Sequence, residues 1–253
     1  MQIIMSPAKL LDFSGEDKQV ETTTPRFEEM TNQLIEVCQK LSVDEIKSIM
    51  KVNHDIANNA YGWFQSFYSN TVPTRAAALG YNGIAYKGLN AHDFNKSDIE
   101  YAQSHLNIVS GLWGMLRPFD LIKPYRLEMV RKIQPEGYRS LYEFWKEALN
   151  NHLSDSLDTD EKVIINLASN EYSKVLNKSL LPKGTRIIDI VFLQQQGDNF
   201  KQIVVHSKKA RGMMSRFIIK NKLVIAEEAK SFDYEDYFFY PHLSEENKWV
   251  FVR

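Results

Sequence analysis

Two short runs dominated by apolar residues, Gln2-Ile3-Ile4-Met5 and Val163-Ile164-Ile165-Asn166-Leu167, place the strongest constraint on the fold. A strand wetted on one face alternates apolar with polar residues. A β-branched run without that alternation predicts a strand inside a sheet, covered on both sides. The first run is closed by Ser6-Pro7 and delivers a loop that carries Lys9, and Ser169 stands where it can cap a short helix after the second.

Helical periodicity fills much of the remaining chain. After Pro25, the residues Phe27, Met30, Leu34, Val37, Cys38 and Leu41 recur at three- and four-residue steps, which predicts an amphipathic helix with Cys38 on its apolar face. Ser42-Val43-Asp44-Glu45 has capping-box spacing and starts a second helix to about residue 51; a third is expected over 55–67. Ser97-Asp98-Ile99-Glu100 repeats that spacing and starts a helix to about residue 106, and residues 140–153 and 208–221 form two more. Residues 76–81 and 84–89, around Asn82-Gly83, are expected as a strand or hairpin. A second hairpin is expected from 185–193 and 200–205, and strands at 237–240 and 249–252. With no Pro/Gly/Ser linker and no internal repeat, the expectation is one α+β domain over residues 1–253, a mixed β-sheet flanked by helices.

Charge and composition exclude several functions. The formal charge is -1, so an anionic partner must be met by a local cluster of cations. A lone cysteine, Cys38, excludes an intramolecular disulfide and a two-cysteine peroxidase mechanism; its place on an apolar helix face argues against a reactive thiolate. The six histidines show no metal-ligand spacing, so neither a metal nor a cofactor is expected. Residues 1–24 lack a secretory pattern and no apolar run approaches the roughly 18–20 residues of a membrane span, which predicts a soluble, cytoplasmic protein without a membrane partner.

Three groups of residues could carry function. Lys208, Lys209, Arg211, Arg216 and Lys220 form the densest cationic stretch. On a helix starting near Lys208, the first three crowd a turn whose dipole disfavours cations unless an anion sits there; the plain alternative is a solvated basic face. Arg117, Lys123, Arg126, Arg131 and Lys132, against Asp120 and Glu128, follow Gly111-Leu112-Trp113-Gly114. Helix, glycine turn and arginine stand in the order of a helix-hairpin-helix-like element, although Pro118 and Pro124 interrupt the second helix. Ser6, Lys9, Tyr125, Arg126, Glu128, Glu171 and Tyr172 supply the side chains of phosphate or acid–base chemistry. Two readings follow. One is sequence-tolerant binding of double-stranded DNA through phosphate contacts, in an open groove. The other is an enzyme acting on a small phosphorylated or nucleotide-like ligand in a deep pocket, with Lys9, Arg126 and Lys209 on the anion and Glu128 or Glu171 moving protons.

The motifs Ile4-Met5-Ser6-Pro7-Ala8-Lys9, Ser110-Gly111-Leu112-Trp113-Gly114 with Leu116-Arg117-Pro118, Pro124-Tyr125-Arg126-Leu127-Glu128-Met129, Asn166-Leu167-Ala168-Ser169 with Glu171-Tyr172, and Lys208-Lys209-Ala210-Arg211-Gly212 with Ser215-Arg216-Phe217 together resemble the YaaA peroxide-stress family, in order and over nearly the whole chain. The resemblance implies a cytosolic bacterial stress protein associated with limiting free iron. It also implies binding of double-stranded DNA through a positively charged cleft that includes a helix-hairpin-helix element. Carried over by motif, the DNA- or anion-binding residues are Lys9, Gly111, Gly114, Arg117, Arg126, Lys208, Lys209, Arg211 and Arg216, with no catalytic or metal-binding residue assigned.

Overall fold

The computed structural model describes residues 1–15, 20–157 and 161–253. Strand β1 (Gln2–Met5) is followed by three helices, α1 (Glu28–Gln39), α2 (Val43–Met50) and α3 (His54–Gln65). Ser42 and Glu45 form the expected capping box, and Asn53 caps α3, so side-chain oxygens take up N–H groups that would otherwise lack partners. The chain continues through β2 (Arg75–Ala76), α4 (Ala77–Gly80), α5 (Ile84–Leu89), α6 (Lys96–His105), β3 (Leu106–Ser110), β4 (Gly114–Leu116) and β5 (Leu121–Ile122). The last part holds α7 (Leu141–Ser156), β6 (Val163–Leu167), α8 (Asn170–Ser173), β7 (Arg186–Gln196), β8 (Asn199–Lys201), α9 (Val204–Asn221), β9 (Phe238–Phe239) and β10 (Lys248–Val252).

A mixed eight-stranded sheet, ordered β4-β3-β1-β6-β7-β10-β9 with β8 paired to β7, forms the centre, as the sequence led one to expect. The strands from β3 to β10 in this order are mutually parallel, while β4, β8 and β9 pair antiparallel at the margins. The two apolar runs lie side by side, with Ile4 opposite Asn166 and Met5 opposite Leu167. Ile3, Ile4, Ile164 and Ile165 are wholly buried, which explains why neither run alternates. From β1 the chain goes next in the sheet to β3 on one side, and from β6 to β7 on the other. Loops leaving these two neighbours therefore diverge and leave a crevice outside their carboxyl ends.

Four expectations are corrected. Residues 76–81 and 84–89 hold the helices α4 and α5 rather than a hairpin; the helix pattern is set by tertiary packing, because α5 lies against α9 backbone to backbone. A Cβ at Gly212 would stand 1.8 Å from the Ala85 carbonyl oxygen, and one at Gly88 would stand 2.3 Å from that of Lys209. Helix α6 starts from a reciprocal Asn95–Asp98 box, two residues before the Ser97 cap read from sequence. Helix α9 begins at Val204, so Lys208, Lys209 and Arg211 lie beyond its first turn and the dipole does not oppose them. The Gly111–Gly114 segment is the turn of the antiparallel β3–β4 pair, not a hairpin between helices. Ser110 Oγ accepts the N–H groups of Leu112 and Trp113 at 3.3 and 3.1 Å, and Gly114, at φ +70°, packs where a Cβ would strike Trp145. Among the described residues, a helical hairpin instead joins α2 to α3 through Lys51, at φ +53°, Val52 and Asn53.

One ion-pair cluster ties α6 to the end of α9. Buried Asp98 accepts from Lys220 at 2.8 Å, from the Asn95 N–H at 3.0 Å and from Lys222. Burial alone would raise its pKa, but these donors outweigh it and hold the carboxyl at about 2. A depressed carboxyl stabilises the fold above its unfolded value and loses that contribution as pH falls toward the folded one. Between about pH 4 and pH 2 the protein is expected to lose about 2 kcal/mol from this group. Urea titrations across that window check it: Asp98→Asn should be less stable at neutral pH and flatter in acid, and an unchanged acid slope would refute the assignment.

Candidate functional site

A cleft of about 310 Å³ occupies the crevice at the carboxyl ends of β1 and β6. Ser6 leaves β1 and Ser169 leaves β6, so their side chains meet: the Ser169 N–H donates to Ser6 Oγ at 2.9 Å, and the Ser6 hydroxyl donates to Ser169 Oγ at 3.3 Å. Tyr86 of α5 donates its hydroxyl to the Ser6 carbonyl at 3.0 Å and fixes the loop from the other side. Lys9, Asn82, Glu171, Tyr172, Lys208 and Arg211 add to the polar lining, while Leu10, Ile84 and Leu167 supply apolar wall.

Two of these cations have no counter-ion. Lys208 makes no ion pair among the described residues, and the Arg211 Nε is buried without a hydrogen-bond partner. Burial lowers the pKa of the Arg211 guanidinium, against the field of Asp189, whose carboxylate is already engaged by Asn166 at 2.6 Å. An arginine keeps its proton under such a shift, so the site presents a desolvated positive charge with unused donors. The chemistry that satisfies it is an anion.

Beside the cleft, and sharing Pro7, Ala8, Lys9 and Tyr172 with it, lies a narrower space lined by Arg126 and Glu128. Glu128 is 2% exposed and receives Arg131 at 2.9 Å, Arg126 at 3.1 Å and Lys9 at 3.3 Å. Burial would raise its pKa; the Arg131 hydrogen bond and the three positive charges prevail and hold it below the usual carboxylate range. Tyr125 bridges Tyr81 at 2.6 Å and Ser110 at 2.7 Å, with burial pushing its hydroxyl to about 12 and that of Tyr81 well above its ordinary value. Both hydroxyls stay protonated at neutral pH and hold the wall in place; neither acts as a base.

The structure thus brings Lys9, Lys208 and Arg211 to one cleft, leaves Arg126 on Glu128 in the adjoining space, and keeps the other expected site residues apart. Arg117 donates to fully buried Asp120 at 2.9 Å and to the Thr24 carbonyl at 2.9 Å, and it borders a space at the amino ends of β1 and β3. Gly111 and Gly114 are buried in their turn. Lys209 pairs with Glu235, and Arg216 forms a bidentate pair with Asp93 at 2.7 and 2.6 Å while bonding the Asn90 carbonyl. These acids come from distant parts of the chain, so the α9 stripe looks more cationic in sequence than it is in space. Sequence reasoning misses Ser169 and Tyr86 as site residues; the strand-end argument that singles out Ser6 applies equally to Ser169, while nothing local marks Tyr86. Cys38 is fully buried, and burial raises its thiol to about 12, which removes the thiolate that would attack a peroxide.

A family model described as peroxide stress protein YaaA matches residues 1–243. Two UPF0246 proteins of Clostridium perfringens, from strains ATCC 13124 and 13, are each 38% identical to this chain over 258 residues, covering all of both partners.

Proposed function

The chain belongs to the peroxide stress protein YaaA family, and from that membership we propose that its part in the peroxide response is to bind a phosphate-bearing ligand at the ends of β1 and β6. The observation that carries this reading is the pair Lys208 and Arg211, which line one cleft and have no ion pair among the described residues. The Arg211 Nε is buried without a partner, which is costly, while Lys208 stands exposed beside it; an anion would satisfy the first and take the charge of the second. The volume of about 310 Å³ falls within the range of small-ligand sites, and a duplex would not enter it. An effect on free iron would on this reading act through the ligand, because a cation-lined cleft repels a metal cation.

Exchanging both cations in the variant Lys208→Glu/Arg211→Glu is expected to weaken binding of inorganic phosphate by about 100-fold or more, as two charge-assisted hydrogen bonds are lost. Isothermal titration at fixed ionic strength measures it. An affinity equal to that of the unaltered protein would remove the cleft from consideration.

Double-stranded DNA is the second reading, and one observation favours it: the α2–α3 helical hairpin carries exposed Lys47 and Lys51 beside backbone that could approach phosphates. Because Lys209, Arg216 and Arg117 are already paired, a duplex on this hairpin would meet chiefly Lys47 and Lys51. Log affinity should then fall against log salt with a slope of about -2, alike for unrelated sequences. Anisotropy titrations of labelled duplexes decide this, and a slope of about -4 or steeper would return the paired cations to the interface.

A further inference from the structure

We propose that the cleft is built for a phosphate monoester on a flat or apolar body, of the nucleoside monophosphate class, and that Lys9 leaves Glu128 to close on it. This deepens the reading of the cleft as a phosphate site and rests on it. Size comes first. At about 310 Å³ the space equals roughly ten water volumes, so a bare phosphate would fill only a corner. What remains is walled by Tyr86, Tyr172, Ile84 and Leu167, which offer aromatic and aliphatic carbon to a ligand body rather than further charges.

Charge selects the monoester. Lys9, Lys208 and Arg211 stand against Glu171 alone in the lining, which leaves two positive charges. A phosphate monoester carries about -1.5 to -2 at neutral pH, whereas a diester carries a single charge. The hydroxyl of Ser169 accepts from Ser6 and makes no capping bond of its own, so its proton is available to a phosphate oxygen.

Lys9 is the movable part. It is the outermost of three cations on Glu128, with 59% of its side chain exposed where Arg126 and Arg131 are each at 14%. Its departure leaves Glu128 with both arginines, and the Lys9 side chain already borders the cleft as well as the neighbouring space.

The test is isothermal titration of the full chain with adenosine 5′-monophosphate, adenosine 3′,5′-cyclic monophosphate, adenosine and inorganic phosphate, repeated on Lys208→Ala and Lys9→Met. The expected result is that the monoester binds at least about tenfold more tightly than the cyclic diester, the nucleoside or phosphate. Lys208→Ala and Lys9→Met should each weaken the monoester by about tenfold, while Lys9→Met leaves the melting temperature nearly unchanged. Equal affinity for monoester and cyclic diester, with both sensitive to Lys208→Ala, overturns this inference and leaves the phosphate site standing. No binding of any phosphate compound, or binding indifferent to Lys208→Ala, overturns both. Full monoester affinity in Lys9→Met overturns the role of Lys9.

Discussion

Glu128→Gln is expected to lower the free energy of unfolding by about 3–5 kcal/mol, the cost of leaving buried cations without their carboxylate. Arg126 and Arg131 both end on this one side chain, and the Arg126 Nε is already buried without a partner. Glutamine keeps the size and one acceptor but removes the charge that offsets two desolvated guanidinium groups. Lys9→Met, by contrast, should cost less than about 1 kcal/mol, because the Lys9 ammonium is largely in water and its pair with Glu128 is screened. Urea denaturation of the two variants at neutral pH separates them, and equal losses would show that Glu128 is not an electrostatic anchor for the two arginines. The sign with pH follows from the depressed carboxyl: the contribution is complete above the unfolded glutamate value and fades as acid protonates the folded one.

The second large effect comes from one methyl group. Gly212→Ala is expected to destabilise the protein by about 3 kcal/mol, since the new Cβ would lie 1.8 Å from the Ala85 carbonyl oxygen and the two helices must move apart. Moving α9 also shifts Arg211, its neighbour in sequence, so phosphate binding should fall in the same variant. Gly62→Ala is the internal comparison. Gly62 lies within α3, and a methyl added there would meet nothing within 4 Å, so the helix propensity of alanine acts unopposed and should stabilise by about 1 kcal/mol. Thermal melts of the pair test the claim; similar small effects at both positions would mean that α5 and α9 are not in backbone contact.

What the sequence determined by itself is what depends on neighbours along the chain. Residues 2–5 and 163–167 are legible as buried strands because apolar β-branched side chains without alternation have no wet face to serve. The Ser42 box, the helix starting near residue 140 and the apolar stripe of α1 are legible because they are satisfied within one or two turns. Membership of the peroxide-stress family can also be read from the motif order, and the matching of residues 1–243 agrees with it.

Tertiary structure alone decided which cations are free. Lys209, Arg216 and Lys220 lie on a single helix and look equivalent to Lys208 and Arg211 until Glu235, Asp93 and Asp98 arrive from other segments and neutralise them. It likewise decided that α5 is a helix, through a glycine contact with α9 far along the chain, and that the Gly111–Gly114 turn spends its N–H groups on Ser110. The physical reason is the same throughout. Caps and periodicity are local and leave a record in consecutive residues, whereas ion pairing and close helix contact join residues remote in sequence, and no spacing rule records who will be near whom.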